Sequence, residues 1–88
     1  MKPVKSLAFD PSAFEDLAWW IQQDRKKALR LVKLIKEVQR TPFTGTGKPE
    51  ALRHELAGCW SRRIDDEHRL VCAVQGDTIR ILACRYHY

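Results

Sequence analysis

The feature that most constrains this chain is a change of hydrophobic period partway along it. Between residues 11 and 40 apolar side chains recur every three or four positions, the repeat of a helix with one buried face. From Arg53 onward they alternate, the repeat of a strand. Thr41-Pro42 and the stretch Thr44-Gly45-Thr46-Gly47-Lys48-Pro49 separate the two regimes. A chain with helices first and a run of hairpin-connected strands after them segregates its helices to one side of a sheet. The expected fold class is α+β: an N-terminal helical hairpin packed on a twisted antiparallel β-sheet.

Length and charge narrow the function. With 88 residues there is room for one core, so a single domain over 1–88 is expected and large multi-domain catalysts are excluded. Sixteen Lys and Arg against 11 Asp and Glu give a formal charge of +5, which favours an acidic partner or a polyanion. No segment has the apolar run of a signal peptide or a membrane span, so a cytoplasmic protein with no membrane role is expected. Cys59, Cys72 and Cys84 are odd in number and widely spaced, which reads as reduced core thiols rather than a disulfide framework or a metal knuckle. No metal and no cofactor are implied.

Val4 to Phe9 reads as a short first strand. Asp10-Pro11 then opens a helix, with Asp10 as N-cap and Ser12-x-x-Glu15 as an alternative capping box. Phe14, Leu17, Ala18 and Ile21 form its apolar stripe, with Trp20 at the border and Trp19 facing away. A second helix runs from about Arg25 to Arg40, with Ala28, Leu31, Val32, Ile35 and Val38 on one face and Lys26, Arg30, Lys33 and Arg40 on the other. That basic stripe is either an ordinary solvated face or a polyanion contact. Gly45-Thr46-Gly47-Lys48 lacks the spacing of a phosphate loop and follows a helix, so no nucleotide site is assigned there.

Beyond the loop, the runs 53–56, 59–64, 68–74 and 78–86 are separated by turn signals and read as an antiparallel meander. Six arginines fall in this half: Arg53, Arg62, Arg63, Arg69, Arg80 and Arg85. By strand parity, Arg63 and Arg69 project from the face without helices, where guanidinium groups suit phosphate. Trp60, Tyr86 and Tyr88 interleave with them and offer stacking surfaces. The bland alternative is a soluble surface with ion pairs to nearby acids. His54 and His68 read as structural histidines, whereas His87, next to the C-terminus, is a candidate acid or base near neutral pH, with Glu50 as its carboxylate counterpart.

Taken together, Arg40-Thr-Pro-Phe43, Gly47-Lys-Pro-Glu50, Leu56-x-Gly-x-Trp-Ser-Arg-Arg-Ile64, Glu67-His-Arg-Leu-Val71 and Ala83-Cys-Arg-Tyr-His-Tyr88 resemble the YoeB/Txe toxins of bacterial toxin–antitoxin modules, within the wider RelE-like group. The resemblance implies a microbial-RNase-like fold and a ribosome-dependent mRNA endoribonuclease. It implies a cognate YefM/Phd-type antitoxin, a toxin homodimer, and contact with operator DNA only through the antitoxin. By the same resemblance Glu50, Arg69 and His87 are catalytic, while Arg53, Arg63 and Tyr88 bind substrate. Glu50 would take the proton from a ribose 2′-OH and His87 would protonate the departing 5′-oxygen, with Arg69 stabilising the phosphoryl charge. Lys26, Arg30 and Lys33 then gain a meaning as contacts to the ribosomal RNA backbone. The alternatives are a non-catalytic RNA- or ribosome-binding module and a co-repressor that acts through the antitoxin.

Overall fold

The structure, a computed structural model, describes residues 4–85. The helical pattern becomes α1 (Pro11–Gln23) and α2 (Arg25–Arg40), joined by the single extended residue Asp24. Asp24 serves both helix ends. Its N–H donates to the Trp20 carbonyl at 2.8 Å and its carboxylate accepts the Lys27 N–H at 3.2 Å, so groups that helix ends leave without partners are satisfied. Asp10 does not cap α1 with its side chain. Pro11 has no N–H to satisfy, and the Asp10 carboxylate instead accepts from Arg80 Nε and Nη2 at 2.8 and 3.0 Å.

Five strands follow the alternating pattern: β1 (Ser6–Phe9), β2 (Glu50–Ala51), β3 (Cys59–Arg63), β4 (Arg69–Gln75) and β5 (Thr78–Ala83), in the spatial order β1-β5-β4-β3-β2. β2 to β5 form an antiparallel meander in which β3, β4 and β5 follow the expected runs, whereas β2 falls at Glu50–Ala51, ahead of the run expected as the first strand; β1 lies parallel to β5 at the edge and makes the sheet mixed. The run 53–56 is not a strand. His54 adopts a left-handed φ of 59°, which ends extended structure, and His54–Leu56 form a 3₁₀ turn.

Leu70, Cys72, Ile79 and Ile81 meet Ala13, Trp20, Leu31, Leu34, Ile35 and Val38 in the core between the sheet and the helices. The buried stripe of α1 is rotated from the expected one. Ala13 and Trp20 are buried with Leu17 and Trp19 packed beside them, whereas Phe14 and Ile21 are 61% and 55% exposed. The indole of Trp20 buries more apolar surface than either, and its Nε1–H donates to the Cys84 carbonyl at 2.7 Å. On α2, Leu34 takes the inward position and Val32 faces out. Cys72 and Cys84 are buried free thiols, and burial pushes them up to about 11 and about 12. Among the described residues no helix is long and apolar enough to cross a membrane.

Candidate anion-binding site on the open face of the sheet

Strand register assembles the site. Glu50 pairs with Ser61, Ser61 with Val71, and Val71 with Ala83, so these four residues form one row across β2, β3, β4 and β5. Arg63 pairs with Arg69 in the next row on the same face, about 7 Å along the strands. This face is the one turned away from the helices, because the core residues Leu70 and Cys72 have the opposite parity. Ser61 and Val71 are 1% exposed and form a sunken centre, while Glu50 is exposed and Arg63 and Arg69 are half-buried.

The electrostatics of this face are unbalanced. Like charges placed directly opposite on a sheet repel, yet no ion pair among the described residues engages the guanidinium of Arg63 or Arg69. The Ser61 hydroxyl, in the row that begins at Glu50, is buried with no hydrogen-bond partner among the described residues. Two guanidinium groups, one carboxylate and an unsatisfied hydroxyl on a shared face are the components that bind a phosphate and move a proton beside it. Ser61 was not singled out from sequence. The signal that finds it is parity, since it stands two residues before Arg63 on the same strand face.

The structure therefore brings Glu50, Arg63 and Arg69 together. Arg53 lies outside the two rows, exposed at the start of the 3₁₀ turn. His87, Tyr88 and Tyr86 lie outside the described residues. The chain leading to them is anchored: Ala83 ends the first row, and the Cys84 N–H donates to Asp16 Oδ2 at 3.1 Å.

The six arginines do not form one open cluster. Arg62 has opposite parity to Arg63 and is 1% exposed, buried toward α2. Arg80 is committed to Asp10, and the Arg85 guanidinium lies 3.6 Å from the centre of the Trp19 ring. Trp60 pairs with Cys72 and so belongs to the helix-facing side, where its ring lies 4.9 Å from that of Phe43. His68 is a structural histidine, buried edge-on to Trp20 at 4.8 Å. His54 sits in the turn, exposed, rather than in a strand.

Within the basic stripe of α2, Arg30 donates to the backbone carbonyls of Ile64 and Arg63 at 2.7 and 3.1 Å, closing the end of β3. Lys26 and Lys33 line a groove of about 420 Å³ with Leu29, Leu34, Glu37 and Thr46. Among the described residues no three His, Cys, Asp or Glu side chains group as metal ligands.

A helix-backed mixed sheet whose face away from the helices carries two opposed arginines and a carboxylate makes this a small α+β protein, and the solved structures that superimpose on it give it the fold of the YoeB- and RelE-type toxins. The comparisons are specific. The profile of the YoeB-like toxins of bacterial type II toxin-antitoxin systems matches residues 9–88. Toxin YoeB of Mycobacterium bovis is 55% identical over 85 residues, 97% of this chain and 100% of that protein. The YoeB dimer of Staphylococcus aureus superimposes with a TM-score of 0.89 at 41% identity, covering 98% of this chain and 100% of the other. YoeB in the YoeB-YefM complex of the same organism gives 0.86 at 40%, with the same coverage. The chain belongs to the family of YoeB-like toxins.

Proposed function

We propose that the protein is a single-domain, ribosome-dependent mRNA endoribonuclease that blocks translation as the toxin of its module. The observation that carries this reading is the opposed Arg63–Arg69 pair, which has no ion-pair partner among the described residues, one row from Glu50. Two opposed cations cost stability until an anion sits between them, and a scissile phosphate there places its ribose toward the carboxylate.

In the reaction, Glu50 accepts the proton of the 2′-OH as that oxygen attacks the adjacent phosphorus. The bond to the 5′-oxygen breaks, and His87 gives that oxygen its proton. Arg69 stabilises the charge that builds on the phosphoryl oxygens, and Arg63 holds the phosphate from across the strand. Arg53 adds an outer phosphate contact and Tyr88 orients the substrate. The products are a 2′,3′-cyclic phosphate and a 5′-hydroxyl, and DNA, without the 2′-OH, is inert.

The partners follow from family membership and charge. A YefM-type antitoxin inhibits the toxin, as the Staphylococcus aureus complex supports, and the toxin pairs with itself, as the dimer from that organism supports. Operator DNA is reached through the antitoxin. Lys26 and Lys33, beside the α2 groove, contact ribosomal RNA in a salt-dependent manner. The site of action is the cytoplasm.

Primer extension on a defined mRNA, with and without ribosomes, tests the reading with wild type and His87→Ala. Ribosome-dependent cuts that vanish in the variant are expected. Equal cutting of free RNA would indicate a stand-alone ribonuclease, and no cutting under any condition would indicate a binding module.

A further inference from the structure

Arg62 is the largest fully buried side chain among the described residues, and it faces away from the site that its neighbours Ser61 and Arg63 form. A guanidinium buried this deeply is tolerated only with a full set of acceptors. Three of its four acceptors come from one segment. Arg62 Nη2 donates to the carbonyls of Thr41 at 2.5 Å and Thr44 at 2.7 Å, and Nη1 donates to the Thr46 carbonyl at 3.2 Å and to Glu37 Oε1 at 2.6 Å. The same Glu37 oxygen accepts the Thr46 N–H at 2.5 Å, and the Arg63 N–H donates to the Gly47 carbonyl at 2.6 Å. Residues 41–47 are thus stitched to α2 and to β3, and they lead directly into Glu50.

Two features make this stitching matter to Glu50. β2 is two residues long, too short for ladder pairing alone to fix its position. The backbone before it also takes a left-handed path: Gly45 and Gly47 have φ of 116° and 86°, open to glycine, and Lys48, a non-glycine residue preceding a proline, has φ of 53°, which is costly for it. Such a path persists only where its surroundings hold it. A side chain at Gly45 would overlap the Glu37 carboxylate, so the loop and the clamp fit only with glycine there.

We propose that Arg62 and Glu37 are positioning residues for RNA cleavage: together they clamp residues 41–47 and thereby hold the Glu50 carboxylate on the open face beside Arg63 and Arg69. This rests on the nuclease reading above. Arg62 and Glu37 touch no substrate; they act through the loop, and β3 serves both roles because successive side chains point to opposite faces.

The test uses full-length toxin, programmed ribosomes and the variants Glu37→Ala, Glu37→Gln and Gly45→Ala. Glu37→Ala and Gly45→Ala are expected to lower kcat by about 10- to 100-fold with KM for the programmed ribosome unchanged, because a base displaced by about 1 Å loses rate on that order. Glu37→Gln keeps an acceptor oxygen for Arg62 and Thr46 and should recover most of the rate. Amide exchange should accelerate over residues 44–51 and not over β4 and β5. In a Glu50→Ala background Glu37→Ala should add no further loss, because the clamp acts through Glu50.

A loop that exchanges faster while kcat stays at the wild-type value overturns the clamp's catalytic role, and so does a loss that multiplies that of Glu50→Ala. If Glu37→Ala does not fold, Gly45→Ala and Glu37→Gln decide on the same readouts. Wild type that cuts nothing, with or without ribosomes, overturns the nuclease reading itself.

Discussion

Arg63 and Arg69 stand directly opposite each other across β3 and β4, two cations in register with no carboxylate among the described residues engaging either. Most proteins place an opposite charge or an apolar residue in such a pair. Here the repulsion is a standing cost that a bound phosphate removes, so binding function and folding stability pull against each other at these positions. Arg69→Ala should therefore reduce ribosome-dependent cleavage by about 10²–10³-fold, the usual effect of removing one transition-state donor. It should leave thermal stability equal or slightly higher, by a few tenths of a kcal/mol. Primer extension and a melting curve on the same preparation check both. A fall in stability together with activity would make Arg69 a structural residue.

Acid should unfold the protein in a defined window. Among the described residues three carboxyls lie below their ordinary values. The Arg80 hydrogen bond lowers Asp10, and the Thr46 N–H, helped by Arg62 and opposed by partial burial, lowers Glu37. Burial opposes ionisation of Asp65, yet Lys27 and the N–H groups of Glu67 and His68 outweigh it. A depressed folded pKa contributes stability that is complete above the unfolded value and is lost as pH falls through the folded one. Stability should stay level from pH 7 to about 5 and decline below about 4.5. Urea midpoints measured from pH 7 to pH 2.5 check this, and Glu37→Gln should flatten the upper part of the decline.

Only one of the three cysteines should be reactive in the folded state. Burial holds the Cys72 and Cys84 thiols at about 11 and about 12, and both are shielded from reagent, whereas Cys59 is half-exposed at the start of β3. A thiol-specific chromophore at pH 8 should titrate one group per chain natively and three in denaturant. Labelling of Cys84 in the native protein would mean that the end of β5 opens readily.

Trp20 ties α1 to the end of β5 through its indole N–H and the Cys84 carbonyl. Trp20→Phe strands that buried carbonyl and should cost about 1–3 kcal/mol, read as a lower urea midpoint with an unchanged slope. Since Cys84 lies three residues before His87 in the sequence, cleavage should fall by more than the loss of folded protein accounts for. Activity normalised to folded fraction tests that.

Much of this was legible beforehand. Periodicity, Asp10-Pro11, Thr41-Pro42 and the turn residues marked both helices and the β3–β5 meander, because local backbone preference and alternating burial act over a few residues. Strand parity also put Arg63 and Arg69 on the bare face. Amphipathicity alone misplaced the stripe of α1, since Phe14 and Trp20 lie at opposite borders of one broad apolar arc, about 120° apart around the axis, and only packing against β5 shows which border is enclosed.

By itself, then, the sequence determined both helices, the β3–β5 meander, the basic charge and the alternation that separates site residues from core residues, but not β2 or the 3₁₀ turn at His54–Leu56. The tertiary structure decided which arginines are available. Arg62, Arg63, Arg80 and Arg85 are chemically identical side chains, yet one is locked on Glu37 and the 41–46 carbonyls, one is open, one is paired with Asp10 and one is stacked on Trp19. Only register across the sheet placed Glu50 in the row of Ser61 and beside Arg63 and Arg69. A partner that neutralises or frees a charge comes from a distant part of the chain, and no local pattern encodes it.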